Sequence, residues 1–184
     1  FEVSDGVMKH ISDTVSPQGI VCVCENIKPN FNITDNSKIA ALFDVADPSN
    51  LGTISRTAEA FGIDALVVCG GCDIYNPKAL RASMGAIFRL PILCLTKDEA
   101  FGFFKDNNIK SYASTPREKA ENCINVDFSG KSAVLIGNEA NGLSDDVINA
   151  CDYAITIPMK GRAESLNAAA AASVLLFEMV RSDL

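Results

Sequence analysis

The chain has 184 residues, 48% of them hydrophobic, and a formal net charge of −7. That length suits one substantial core, no apolar run approaches the roughly 18 residues of a membrane span, and no basic stretch leads into an apolar one as in a signal peptide, so a single soluble, cytoplasmic α/β-sized domain is expected. The acidic balance argues against a large sequence-independent nucleic-acid surface, which needs clustered Lys and Arg. Phe1 is not an initiator methionine, which leaves room for an upstream basic region.

After a polar opening, with an Asn- and Thr-rich surface loop from Lys28 to Ser37, short β-rich runs alternate with helical patterns. LFDV reads as a strand, followed by a helix from about Asn50 to Phe61. ALVV, a helix near Pro77 to Met84, and PILCL come next. A helix near Asp98 to Asp106, then IKSYA, SAVLIG, a short helix after Ser144, YAITIP and a long final helix complete the chain. Strands alternating with helices predict an α/β domain with a mostly parallel sheet covered on both faces. The last helix is apolar around most of its circumference from Leu166 to Val180, and Ala168 to Ala172 permit close backbone approach, so it is expected to be buried on more than one side, with a subunit interface as the alternative to a purely internal core.

Seven cysteines, scattered through runs such as GIVCVC and LPILCL, read as small hydrophobes rather than a disulfide framework. Cys22-x-Cys24 and Cys69-x-x-Cys72 have spacings that could serve zinc or redox chemistry, but their apolar flanks favour packing, and no metal site is expected. His10, the only histidine, cannot by itself anchor a Ser-His-Asp triad or a multi-histidine site.

Three segments carry polar residues where open α/β sheets put their ligands. In DPSNLGTISRTAEAFG, Pro48 cannot extend a central strand and Asn50 suits a helix start, with Arg56 two turns on. The bland reading makes Asn50 a cap and pairs Arg56 with Glu59. In SAVLIGNEANGLSDDV a strand runs into a turn where Gly137 and Gly142 let the backbone approach a ligand and Glu139 supplies a carboxylate. Neither a phosphate-loop nor a dinucleotide fingerprint occurs there, and an ordinary turn with Ser144 as a cap is the competing reading. In ITIPMKGRAESLNAAAAAS, a loop with Lys160 and Arg162 leads to Ser165 and Asn167, which either satisfy helix N–H groups or face a ligand.

Together, N-x-x-x-x-x-R, G-N-E-x-x-G-L and I-P-M-x-x-x-x-E-S-L-N, in this order, resemble the three signature motifs of the SpoU (TrmH) RNA 2′-O-ribose methyltransferases of the SPOUT class. RASMGAIFRLPI, Arg81 to Ile92, is similar to a further family segment, and the likeness covers nearly everything from Gly19 onward. One departure is Ala140, where many members carry glycine.

The resemblance implies a C-terminal part threaded into a deep trefoil knot, a homodimer, and methylation of a ribose 2′-hydroxyl in rRNA or tRNA by S-adenosylmethionine; the excess of apolar and small residues from Leu166 to Val180 points to a dimer interface that includes the C-terminal helix and the first motif's helix. It assigns cofactor binding to Gly137, Asn138, Ile157, Met159 and Leu166, and catalysis to Arg56 supported by Asn50, Glu139, Ser165 and Asn167. It divides the chain into residues 1–18, a linker or the end of an upstream RNA-binding domain, and 19–184, the catalytic domain. A catalytically silent RNA-binding relative would lack Arg56 or the cofactor loop, both of which are present. A nucleotide-dependent oxidoreductase would need the missing dinucleotide fingerprint.

Overall fold

The computed structural model describes residues 1–12, 14–26, 28–117 and 119–183. Its central strand, β1 (Lys38–Phe43), is buried at every position, as a strand covered on both faces must be. The other strands are β2 (Ala65–Cys69), β3 (Ile92–Cys94), β4 (Lys110–Ser114), β5 (Glu121–Asn122), β6 (Ser132–Ile136) and β7 (Tyr153–Thr156). They form one seven-stranded sheet in the order β3-β2-β1-β6-β4-β7-β5, with every paired neighbour parallel. The expected α/β architecture is therefore present. A lysine can begin the buried β1 because its ammonium is satisfied locally: Nζ donates to the carbonyls of Phe128 (2.5 Å) and Gly130 (2.8 Å) and to Asn36 Oδ1 (3.1 Å).

Period-two alternation sorts the side chains of β1 into two cores. Ala40 and Leu42 pack with α2 (Pro48–Ala60), α3 (Pro77–Ser83) and α6 (Ala168–Val180) on one face. Ile39, Ala41 and Phe43 pack with α4 (Lys97–Asp106) and α5 (Asp145–Ala150) on the other. A short α1 (Asp5–Ile11) buries none of its residues. α4 starts with a full capping box, Thr96 and Glu99 each satisfying the other's backbone N–H.

Some boundaries differ from the sequence reading. β1 begins earlier than LFDV and stops before Asp44, whose φ of 56° breaks the extended backbone. α1 and the two-residue β5 carry too little periodicity to be read in advance. The last helix begins only at Ala168, so Leu166 and Ser165 lie in the preceding loop and Asn167 is its cap. It is buried through Ala172, Leu175, Leu176 and Met179 but shows Val174 and Phe177 to solvent. Cys69 and Cys123 pack as small core hydrophobes, whereas Cys22 and Cys24 are exposed. Burial pushes the Cys69 thiol up to about 12, the pattern of an inert packing residue.

The packing of α2 on α3 depends on Gly52. A Cβ there would stand 2.4 Å from the Ala79 carbonyl oxygen and 2.9 Å from the Ser83 nitrogen. Ala in place of Gly gains about 1 kcal/mol of helix propensity, but forced overpacking costs about 1–3 kcal/mol, and here the obstacles are backbone atoms that cannot rotate away. Gly52→Ala is expected to lower unfolding stability by about 1–2 kcal/mol in urea titrations; equal or higher stability would mean that the helices separate freely.

Candidate active site

The site sits at the carboxyl ends of β1, β4, β6 and β7, where three loops distant in sequence meet. The first follows β1. Pro48 occupies the first turn of α2, and Asp47 caps it, Oδ1 accepting from the Ser49 N–H at 2.9 Å. Lys78 Nζ donates to the same carboxylate at 2.9 Å. The hydrogen bonds from Lys78 and then Ser49 hold Asp47 well below the usual carboxylate range, down to about 2. The expected cap, Asn50, is thus relieved of that task, and its buried side chain is free to bridge other segments. Glu59 pairs with Arg89, not with Arg56.

The second loop leaves β6. A Cβ at Gly137 would lie 2.2 Å from the Gly142 carbonyl carbon and 2.3 Å from the Leu143 nitrogen, so glycine is required because the loop folds back on itself at that point. Asn138 and Gly142 exchange backbone hydrogen bonds of 3.1 and 2.8 Å, and Asn138 Oδ1 accepts from the Ala140 and Asn141 N–H groups. Positive φ outside glycine is confined, among the described residues, to Asp44, Met84 and Asn108. Ala140 therefore tolerates its side chain without strain.

Glu139 joins the loops. Its Oε2 accepts from the Ala46 N–H at 3.1 Å, and Oε1 accepts from the Asp47 N–H at 3.0 Å and from Asn50 Nδ2 at 2.8 Å. Asn138 Nδ2 adds a bond to the Asp44 carbonyl at 2.9 Å. Burial works to raise the Glu139 pKa, but the hydrogen bonds from Asn50 and the backbone outweigh it, and the net shift is downward. The third loop enters through Asn167. Its Oδ1 accepts from the Ala169 and Ala170 N–H groups while its Nδ2 donates to Asn50 Oδ1 at 3.1 Å. Glu139 and Asn167, 89 and 117 positions beyond Asn50, thus form one hydrogen-bonded line through it.

Beside this line opens a cleft of about 260 Å³. Ile136, Ile155 and Leu175 form its apolar floor, and Gly137, Asn138, Ile157, Met159, Ser165 and Leu166 line its wall and mouth. All five residues expected to bind cofactor are brought together there, with Glu139 and Ser165. Thr115 and Ser114, at the end of β4, were not singled out in the sequence, although the rule that ligands sit at strand carboxyl ends points to them. Arg56 is not among the cleft residues; it lies exposed on the outer side of α2.

Residues 37–177 match the model of the SpoU rRNA Methylase family. The chain belongs to that family. It is 31% identical over 180 residues to the 23S rRNA (guanosine(2553)-2'-O)-methyltransferase RlmP of Bacillus subtilis, a match covering 97% of this chain and 71% of that protein. It is 38% identical to the 23S rRNA (uridine(2479)-2'-O)-methyltransferase of Streptomyces viridochromogenes, over 78% of this chain and only 52% of that one. Among solved structures, the SpoU methyltransferase AviRb from Streptomyces viridochromogenes in complex with AdoMet aligns with a TM-score of 0.78 at 32% identity, over 83% of this chain and 60% of that chain. The AdoMet-bound rRNA methyltransferase from Sinorhizobium meliloti aligns with a TM-score of 0.79 at 31% identity, over 86% and 59%. Family membership removes the oxidoreductase alternative.

Because the Glu139 carboxylate titrates lower in the folded chain than in the unfolded one, its hydrogen bonds add stability above the unfolded value near 4.5, lost as pH falls through the depressed folded value. Glu139→Gln has one acceptor oxygen where three N–H groups need two. The variant is expected to be less stable than the parent at pH 7, with the gap narrowing as pH drops below about 4.5. A gap independent of pH would show that the ionised carboxylate is not the tie.

Proposed function

We propose that the protein transfers a methyl group from S-adenosylmethionine to a ribose 2′-hydroxyl of RNA, with ribosomal RNA favoured over transfer RNA because the two relatives above are named for 23S rRNA. The observation that carries this is the convergence of all three motifs, through Asn50, Glu139 and Asn167, beside a cleft lined by every expected cofactor residue. A silent RNA-binding relative would have no reason to keep both that line and Arg56.

The cleft fits the cofactor's chemistry. Its apolar floor suits a flat purine, and its wall, built where Gly137 permits a tight backbone fold, offers main-chain polar groups. Gly137, Asn138, Ile157, Met159 and Leu166 would hold the cofactor, which when bound supplies an electrophilic methyl. The chain's part is to align the acceptor and supply a suitable field. Arg56, whose planar guanidinium offers donors and no acceptor, orients the ribose and an adjacent phosphate. Ser165, at the mouth, offers a hydroxyl to the same acceptor.

The proposal extends to a cytoplasmic homodimer. No helix among the described residues is long and apolar enough to cross a membrane. Val174 and Phe177 stand about 40% exposed on α6, with Phe61, the residue that ends α2, packed against Phe177 at 5.7 Å between ring centroids. An aromatic patch of this kind favours a partner, and pairing there carries Arg56 of the same helix to the interface. It extends also to the trefoil threading of the C-terminal part, supported by β7 lying between β4 and β5 while α6 returns over β1 and β6.

Calorimetry with S-adenosylmethionine, combined with tritium transfer to rRNA, separates the roles. Arg56→Ala is expected to reduce transfer at least a hundredfold with cofactor affinity within about twofold, because the cleft lacks Arg56. Gly137→Val is expected to abolish cofactor binding, since its Cβ displaces the 142–143 backbone. The reverse pattern would invert the two assignments. For the dimer, Phe177→Glu is expected to shift sedimentation from dimer to monomer at micromolar concentration; a parent chain that sediments as a monomer would refute it.

A further inference from the structure

Away from the cofactor cleft, on the far edge of the sheet, a second groove of about 430 Å³ runs between the extended stretch before β1 and the turn that leads into β3. Its polar and aromatic lining is Asn26, Lys28, Asn30, Tyr75, Phe88 and Arg89. Lys28 and Arg89 are its only charged lining residues among those described, in a chain whose net charge is −7. A third cleft, above β1 to β3, is by contrast lined by Asp44, Asp73, Glu99 and Asp146 against the single Lys97.

The turn is built to display its ring. Met84 and Gly85 take positive φ values of 50° and 86° to end α3, and a 3-10 turn over Ala86–Phe88 follows, tied by Phe88 N–H to the Gly85 carbonyl (3.1 Å) and Leu90 N–H to that of Ala86 (2.8 Å). Ala86 and Ile87 point into the core, which leaves Phe88 outward and 52% exposed. Arg89 Nε and Nη2 both bond the Glu59 carboxylate, a pair at the surface that an RNA phosphate would displace or join, and Lys28 makes no hydrogen bond or ion pair among the described residues. This is the segment RASMGAIFRLPI, whose likeness to the family the cofactor cleft does not explain.

We propose that this groove binds an unpaired nucleotide of the RNA substrate, the base stacking on Phe88, the amides of Asn26 and Asn30 meeting its edge, and Lys28 and Arg89 meeting phosphates. Rings interleaved with cations, with no carboxylate among the lining residues, are the combination that single-stranded nucleic acid requires. The groove lies along β3, three strand spacings or roughly 15 Å across the sheet from β6, the nearest strand bordering the cofactor cleft. It therefore reads sequence flanking the methylated ribose, and it sets which RNA is chosen rather than how fast the methyl moves. The proposal rests on the reading of RNA as the substrate.

The test is anisotropy of a fluorescein-labelled nine-nucleotide oligouridine with the full chain, alongside tritium transfer to rRNA. Phe88→Ala is expected to weaken oligouridine binding about tenfold, the effect of losing one stacking ring, and to raise KM for rRNA with kcat and cofactor affinity unchanged. Phe88→Tyr is expected to restore both, and Lys28→Ala to flatten the slope of log affinity against log salt by about 0.7. Unchanged oligouridine affinity in Phe88→Ala overturns the proposal. So does a change from dimer to monomer in that variant, which would assign the groove to a second copy of the chain. Phe88-dependent oligouridine binding without methyl transfer by the parent would retain the groove and remove the methyltransferase reading.

Discussion

The site is held together by one carboxylate that can only accept hydrogen bonds. Glu139 draws in the N–H groups of Ala46 and Asp47 and the amide of Asn50, so the loops after β1 and β6 stand in fixed register. The polarity of everything downstream follows. Because Asn50 must present its NH2 to the carboxylate, its oxygen faces Asn167, which must donate in turn. Asn167 can donate there because its own oxygen is engaged by the first N–H groups of α6. Neither amide can flip without placing donor against donor. The start of α6, and with it the loop bearing Met159, Ser165 and Leu166, is thus oriented by a negative charge nearly thirty positions upstream.

The sheet makes that arrangement possible by separating its two faces and its two edges. The apolar strands β1 and β6 are neighbours, so the loops leaving them start within one strand spacing of each other. α2 and α6 cover the same face, which brings both helix starts to the same end of the sheet. Gly52 belongs to this scaffold as much as the polar residues do. It lets α3 close on α2, and α3 carries the Lys78 that neutralises the cap of α2.

Much of this was legible in the sequence, for physical reasons that differ by element. The alternation of apolar strands with amphipathic helices indicated the parallel sheet because burial on both faces leaves that pattern. The resemblance to the SpoU family points to Gly137, Asn138, Ile157, Met159 and Leu166, and the cleft gathers all of them. The hydrogen-bond partners were not legible. Asn50 and Asp47 are both good helix-start residues three positions apart, and only the tertiary demand of Glu139 decides that Asp47 caps while Asn50 bridges. Gly137 was singled out for closeness to a ligand, whereas its tightest neighbour is its own loop at Gly142. Composition does not fix the start of α6, because Glu164 to Asn167 suit a first helical turn as well as a loop, and only the cap at Asn167 decides it.

The same network limits the chemistry available to the chain. Asn50 and Asn167 have no basic lone pair, Ser165 is a neutral hydroxyl, and the Arg56 guanidinium offers donors and no acceptor. Glu139 is the one conventional base of the set, yet its oxygens are taken by three N–H donors and its proton affinity is lowered by them. The sole histidine, His10, sits on the exposed α1, which packs nothing into the core. Glu139 gains little by taking a proton, since doing so would cost the contacts that align the site. Under the proposed methyl transfer, what these residues can offer is orientation and electrostatic field, terms that a hydrogen-bonded line supplies without rearranging during the reaction.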